Sequence, residues 1–287
     1  MDSFFFKTIF AMPVDHYENF PVASVLLPRR LRRAVIDIYR FARKADDIAD
    51  EGHAAPAQRI EQLQSYRSAL HALGAQHPTP AQGSSAPTEI FGPLGLTITR
   101  HQLPLTPFLE LLSAFEQDVT VHRYADFAAL SDYCRRSANP IGRLMLHLYE
   151  TVDEQSREQS DAICTGLQLV NVLQDVGIDW KIGRVYLPQN ELARFGVSES
   201  AIAAGRADDA WRQFMKFQVD RCRTLLNSGS PLGKRLPGRI GLELRLIIEG
   251  GRCVLAQIEQ VQYDVFRHRP TLRSADWIGM AWRALMA

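Results

Sequence analysis

Residues 165–180 read TGLQLVNVLQDVGIDW, and this stretch decides the fold. Gln168, Asn171, Asp175 and Asp179 stand at spacings of 3, 4 and 4, so on an α-helix they share one stripe. Leu167, Leu169, Val170, Val172, Leu173 and Val176 occupy nearly all the remaining circumference. A helix that is apolar almost all round belongs in a core. Carboxylates buried there are costly unless they are paired or metal-bound. The stretch therefore predicts a core helix whose acidic stripe faces either basic side chains or cations.

A second acidic stripe lies upstream. Over 29–50, Leu31, Val35, Ile38, Ala42, Ala45 and Ala49 repeat at helical spacing, with Pro28 just before them. Tyr39, Arg43, Asp46 and Asp50 follow the apolar stripe by one residue each. DDIAD thus aims Asp46 and Asp50 the same way, and like charges at i and i+4 repel by a few tenths of a kcal/mol. Arg43 alone does not neutralise four aspartates. Two such stripes suit Mg²⁺, an ion that takes few carboxylates together with waters and substrate phosphates. Lys181, Arg184 and Tyr186 follow the second motif. The two cations are suited to holding a polyanion by charge-assisted hydrogen bonds, or to complementing a helix C-terminus.

The rest of the chain extends the helical pattern. Helices are predicted over 57–73, 106–118, 126–136, 141–151, 158–180, 208–227, 240–266 and 274–286. Convincing strand alternation is nearly absent, so the fold class is all-α, a single domain over 1–287 with a flexible loop near 75–90, where HPTPAQGSSAP stands. With 287 residues, 46% of them hydrophobic, the chain is long enough for one large core. Lys and Arg number 33 against 32 Asp and Glu, a balance that argues against a nucleic-acid partner. Four scattered cysteines lack zinc spacing and read as reduced core thiols of a cytoplasmic protein. No Rossmann or P-loop fingerprint, GxSxG or HExxH text occurs. MDSFFFKTIF at the start is a poor signal peptide and reads as a segment packed on the body or touching a membrane surface. The basic run Arg29–Arg33 reads as a solvated turn or as a contact for anionic lipid, which would place the protein peripherally at the inner face of a membrane.

The motifs together carry a family resemblance. HYENFPVAS (16–24), YRFAR before DDIAD (39–50), SDYCRRSANPIG (131–142) and NVLQDVGIDWKIGRVYLP (171–188) are similar to the squalene/phytoene synthase family of head-to-head prenyl synthases. The resemblance implies the isoprenoid-synthase helical bundle, an apolar central tunnel and Mg²⁺-diphosphate chemistry. It places metal-binding positions on Asp46, Asp50, Asn171, Asp175 and Asp179. Diphosphate and prenyl contacts fall on His16, Tyr17, Asn19, Phe20, Tyr39, Arg43 and Gln168, with Tyr39, Arg43, Asp46, Asp50 and Asp175 at the chemistry.

Within the family the text most resembles the hydroxysqualene-forming branch of hopanoid biosynthesis. That branch implies loss of diphosphate from presqualene diphosphate, capture of the carbocation by water, no need for NADPH, and coupling to other enzymes of the pathway. Asn19 and Gln174 stand where condensing members usually carry Ser and Arg, and the missing guanidinium favours a site for one diphosphate over a site for two. A condensing synthase making presqualene diphosphate or phytoene is the alternative enzyme reading. A non-catalytic assembly protein is the alternative of another class, although such proteins tend to lack the acidic motifs present here. Phe20, Tyr39, Phe41 and Tyr133 are candidate aromatic lining for a carbocation, although each is more often plain core.

Overall fold

The computed structural model describes residues 26–74 and 87–286. His16, Tyr17, Asn19 and Phe20, together with the apolar N-terminal run, lie outside the described residues, as does 75–86. Among the described residues there are helices and no named strand, only an isolated bridge between Arg123 and Val185. The described chain forms two compact units, one from residues up to Val121 together with Arg136–Arg157, the other from His122–Arg135 and from Glu158 onward.

The first unit is organised on helix α1 (Arg29–Asp50), whose bounds are those the periodicity predicts. Its buried side carries Leu31, Val35, Ile38, Phe41, Ala42, Ala45 and Ala49. Against it pack α2 (Pro56–Gly74), α3 (Thr88–His101) and α4 (Thr106–Asp118). Phe41 is fully buried and lies edge-on to Phe91 and Phe108, with ring centroids at 5.9 and 5.4 Å. It therefore packs in rings in the core of this unit, the plainer of the two readings open to it. Asp37, buried on the same helix, accepts a 2.8 Å hydrogen bond from the Thr97 hydroxyl on α3 and lies 3.0 Å from Arg33. Helix α3 was not predicted: it begins at Thr88 inside the expected loop and accommodates Pro93 in its interior. Arg30 and Arg32 of the 29–33 run also have intramolecular partners, Arg30 with Glu150 at 3.6 Å and Arg32 with the Leu27 carbonyl.

The second unit uses α5 (Phe127–Ser137) for most of its length, then α7 (Glu154–Gln174), which follows α6 (Asn139–Leu148) in the chain. After it come the short α8 (Val176–Lys181), α9 (Gln189–Arg194) and α10 (Glu199–Ala203). Two long helices, α11 (Asp209–Gly229) and α13 (Gly238–Gln260), flank the single turn α12 (Leu232–Arg235), and α14 (Asp276–Met286) packs on α13. Glu191 ties α9 to α11: Arg221 donates to both of its oxygens at 2.5 and 2.8 Å and Gln218 donates at 2.7 Å. Burial pushes the Glu191 carboxyl up, but these donors outweigh it and hold the group below its ordinary value. Arg221 in turn lies 3.8 Å from the centroid of Phe127. Cys134, Cys164 and Cys222 are buried and all four cysteines are free thiols, as expected. No helix of the described residues is long and apolar enough to cross a membrane.

Two predicted helices are corrected. The one expected over 158–180 breaks at Asp175, and the one expected over 240–266 stops at Gln260. At the second stop Gln262 and Tyr263 adopt positive φ, 53° and 63°, which turns the chain away from the helix axis.

Close helix contact in the second unit depends on glycine. A Cβ at Gly229 would stand 2.5 Å from the Gln159 carbonyl oxygen and from Ile163 Cγ1, whereas one at Gly92 on α3 would meet nothing within 4 Å. Gly229→Ala should therefore destabilise the protein by about 1–3 kcal/mol, as overpacking does. Gly92→Ala should stabilise it by roughly 0.5–1 kcal/mol through lost chain entropy in the unfolded state. Thermal denaturation of both variants checks the contrast, and equal melting shifts would contradict it.

Glu243 is a second test of the packing. It is buried on α13, its Oε2 lacks a hydrogen-bond partner, and burial pushes its carboxyl up to about 8 against the opposing attraction of Arg239. The folded protein thus holds this proton more tightly than the unfolded chain. The associated stability is complete below the ordinary carboxyl value of 4.5 and is lost as pH rises through about 8. Glu243→Gln should be more stable than wild type at pH 8.5 by about 1–2 kcal/mol, an advantage that shrinks toward pH 5. Urea titrations at the two pH values measure it.

Candidate active site

The first acidic motif occupies the last turns of α1. Asp46 is buried, while Tyr39, Arg43 and Asp50 are half-buried. The Arg43 guanidinium reaches Asp47 at 2.7 Å and Glu51 at 3.0 Å, with Asp46 at 4.0 Å. Its charge is thus shared over three acids one or two turns ahead of it. Asp50 is the final helical residue, where the helix dipole is negative and a carboxylate is unfavourable. Arg59 answers that charge from α2: its guanidinium donates to the carbonyls of Ala49, Gly52 and Ala54, the last two at 2.8 and 3.0 Å. The sequence offered no signal for Arg59, because its contacts are to main-chain oxygens in a loop.

The second motif lies at the end of α7. Asn171 and Asp175 are buried and Asp179 is half-buried. The ladder holds as far as Asp175, whose N–H donates to the Asn171 carbonyl at 2.9 Å. There the backbone changes to φ −105° and ψ 10°, and the N–H groups of Ile178 and Asp179 both return to the Asp175 carbonyl at 2.8 and 2.9 Å. Asp175 is therefore the hinge between two helical segments rather than the middle of one. Gln168 Oε1 and Asn171 Nδ2 are buried and lack hydrogen-bond partners. Buried polar groups are nearly always satisfied, so an open acceptor and an open donor on successive turns invite completion by water or a ligand, as does the open Oε1 of Gln174.

Beyond α8 the chain turns at Gly183, whose φ of 80° requires glycine. Arg123 clamps this turn, donating to the Gly183 carbonyl at 2.5 Å and to Glu199 at 2.6 and 3.0 Å. The Val185 N–H donates to the His122 carbonyl at 2.9 Å and the Gln189 N–H to that of Tyr124 at 2.9 Å, which sets residues 122–124 beside 185–189. Arg184 is buried and Lys181 is exposed. Burial, with smaller contributions from Arg184 and Arg123, holds the His122 imidazole below its ordinary value. Tyr186 joins Tyr124 and Tyr133 in a three-ring cluster, with centroids 5.4–5.6 Å apart. Tyr133 was expected as aromatic lining; Tyr124 was missed.

The largest omission of sequence reasoning is Arg269. Its guanidinium grips the Asp175 carboxylate as a fork, Nε to Oδ1 at 2.5 Å and Nη2 to Oδ2 at 3.2 Å. Next to it, the buried Gln174 amide donates to the Pro270 carbonyl. Gln174 is thus committed to the chain itself, and the guanidinium that position 174 lacks is present beside Asp175 from 94 residues away.

The donor set can be tested against a divalent metal. Among the described residues no group of three or more His, Cys, Asp or Glu side chains forms a ready cage. Mg²⁺ does not need one, because it is bound through one or two carboxylates plus phosphate and water oxygens. The carboxylates of both motifs are hard oxygen donors, and the open Asn171 Nδ2 is a hydrogen-bond donor suited to a phosphate oxygen rather than to the ion itself. These residues fit such an ion.

Comparison with known proteins identifies the family. The family model for squalene/phytoene synthase matches residues 14–276. A hydroxysqualene synthase of Zymomonas mobilis is 32% identical over 274 residues, covering 93% of this chain and 86% of that protein. A phytoene synthase of Arthrospira platensis is 31% identical over 272 residues, covering 89% and 84%. Among solved structures, the squalene synthase HpnC of Alicyclobacillus acidocaldarius superposes with a TM-score of 0.78 at 38% identity, covering 86% of this chain and 90% of that one. With a match that spans nearly the whole chain and an all-helical fold held in common, this chain belongs to the squalene/phytoene synthase family.

Proposed function

We propose that the protein is a hydroxysqualene synthase, which ionises presqualene diphosphate with the help of Mg²⁺ and directs water onto the resulting carbocation. The observation that carries the ionisation step is the pair of open groups on Gln168 and Asn171 beside the buried Asp175. The choice of substrate is supported by the likeness to the Zymomonas hydroxysqualene synthase and by the HYENFPVAS text. Asp46, Asp50, Asn171, Asp175 and Asp179 would hold the metal, which supplies Lewis-acid stabilisation of charge developing on the leaving diphosphate.

The chain's own residues supply the rest. Arg43, Lys181 and Arg184 are charge-assisted donors for phosphate oxygens. The cluster of Tyr124, Tyr133 and Tyr186 presents ring faces that stabilise a cation by about 1–2 kcal/mol each where dry. The open Gln168 Oε1 is an acceptor that orients one water. Because water provides the nucleophile, the balance is substrate plus water giving alcohol, diphosphate and a proton, and NADPH is not consumed. A peripheral position at a membrane suits a C30 product. The exposed Ile278, Trp282, Leu285 and Met286 on α14 are consistent with that position.

A condensing synthase is the second reading, and two observations favour it. The Arthrospira phytoene synthase is as similar as the hydroxysqualene synthase, and Arg269 keeps a guanidinium near Asp175. The arginine count therefore no longer separates one diphosphate from two. Incubation does. Presqualene diphosphate with Mg²⁺ in ¹⁸O-water should give a labelled C30 alcohol without NADPH, and farnesyl diphosphate alone should release no diphosphate. Diphosphate release from farnesyl diphosphate, or squalene formed only with NADPH, would replace this reading with the alternative.

The role of the acidic motif is checked separately. Asp175→Asn should lose about a hundredfold or more in kcat, the scale of removing one stabilising group from a transition state. EDTA should abolish turnover, and the helical circular dichroism should persist. Full activity of this variant would remove Asp175 from the mechanism.

A further inference from the structure

The segment after α13 returns to the second acidic motif along a fixed path. The Trp211 indole N–H donates to the Tyr263 carbonyl at 2.8 Å, and the Trp211 ring packs on Phe266 at 4.7 Å between centroids. Phe266 in turn sits close over Gly205 and Gly177, where an added Cβ would find it at 3.4 and 3.8 Å. The positive φ angles at Gln262 and Tyr263 direct the chain onto this path. Beyond it Pro270 is buried, and its carbonyl accepts the Gln174 amide. Between these two anchors stands Arg269, forked on Asp175.

Asp175 is buried, with its side chain 12% exposed. A carboxylate in that position needs a cation in every state of the protein. A fork on both oxygens also opposes their use as metal ligands, because the guanidinium takes two of the carboxylate's roughly four lone-pair sites and its charge repels the cation. Gln174 is the residue immediately before Asp175, and it grips the residue immediately after Arg269. A shift of one element is thus transmitted to the ion pair on the other.

We propose that Gln174 and Arg269 form a latch on Asp175. The Gln174 amide holds Pro270 so that Arg269 is the counter-ion of Asp175 when no metal is bound, and metal binding at Asp175 must displace this guanidinium. The inference rests on the reading of Asp175 as a metal ligand and assigns Gln174 a positioning role that sequence comparison treats as a loss. It follows that the metal binds weakly on its own, and that the latch couples cation loading to the arrival of something else that holds Arg269.

Titration of the full-length protein with Mn²⁺, without substrate, tests the latch by electron paramagnetic resonance of the free ion. Arg269→Gln should bind Mn²⁺ about tenfold more tightly than wild type, since a charge-assisted competitor has gone. Gln174→Met should shift affinity in the same direction by a smaller factor. The gain should vanish in Asp175→Asn/Arg269→Gln. In EDTA, Arg269→Gln should melt below wild type, and the double variant should recover, because the uncompensated charge has been removed. If wild type binds Mn²⁺ and Arg269→Gln binds it no more tightly, the latch is overturned while the metal reading stands. If no variant binds Mn²⁺ even with inorganic diphosphate present, both fall. An unchanged affinity in Gln174→Met beside a gain in Arg269→Gln would remove Gln174 from the latch.

Discussion

The need to compensate one buried carboxylate, Asp175, governs the arrangement of the second unit. The apolar surface of α7 draws the helix into the core, and the acid goes with it. Removing one partner from a buried ion pair costs about 3–5 kcal/mol, so the fold must deliver a cation to this point. It does so over a long sequence distance: α13 ends, the chain makes a left-handed turn, and Arg269 arrives beside Asp175. The backbone at Asp175 breaks the helix at the same place, and its carbonyl then receives the two N–H groups that start α8. Ion pair, helix break and returning segment form one device.

The first acidic motif solves the same problem with local means. Asp46, Asp47, Asp50 and Glu51 gather at the negative end of a helix dipole, and Arg43 and Arg59 answer them from within thirty residues. Arg43 is spread over several acids, whereas Arg269 is forked on one. A shared cation moves from one partner to another at small cost, while a forked one must be displaced outright. The two motifs therefore differ in how readily they exchange protein partners for a metal or a phosphate.

These facts explain what was legible in the sequence. Helix α1 was read to the residue, because twenty-two residues of regular period outweigh any local ambiguity and proline marks the start. The placing of Asn171 and Asp175 one turn apart was legible for the same reason. The break at Asp175 was not, since the period continues through it and only hydrogen bonding reveals the change. Helix α3 was hidden by Gly92, Pro93 and Gly95, which read as loop text next to HPTPAQGSSAP. Phe41 was open to either a core or a lining reading, and only Tyr66, Phe91 and Phe108 from other helices show the rings it packs among. Arg269 and Gln174 make contacts 94 and 96 residues away, and no local pattern encodes a pairing at that distance. His16, Tyr17, Asn19 and Phe20 remain expectations of the family resemblance.

The central claim is that these acidic motifs hold a divalent cation for a diphosphate leaving group. Anomalous diffraction from crystals grown with Mn²⁺ and inorganic diphosphate tests it most directly. The account predicts a manganese peak coordinated by an Asp175 carboxylate oxygen, with the Arg269 guanidinium moved off that carboxylate. A crystal containing diphosphate and Mn²⁺ with no peak at Asp175, and with the Arg269 fork intact, would contradict it.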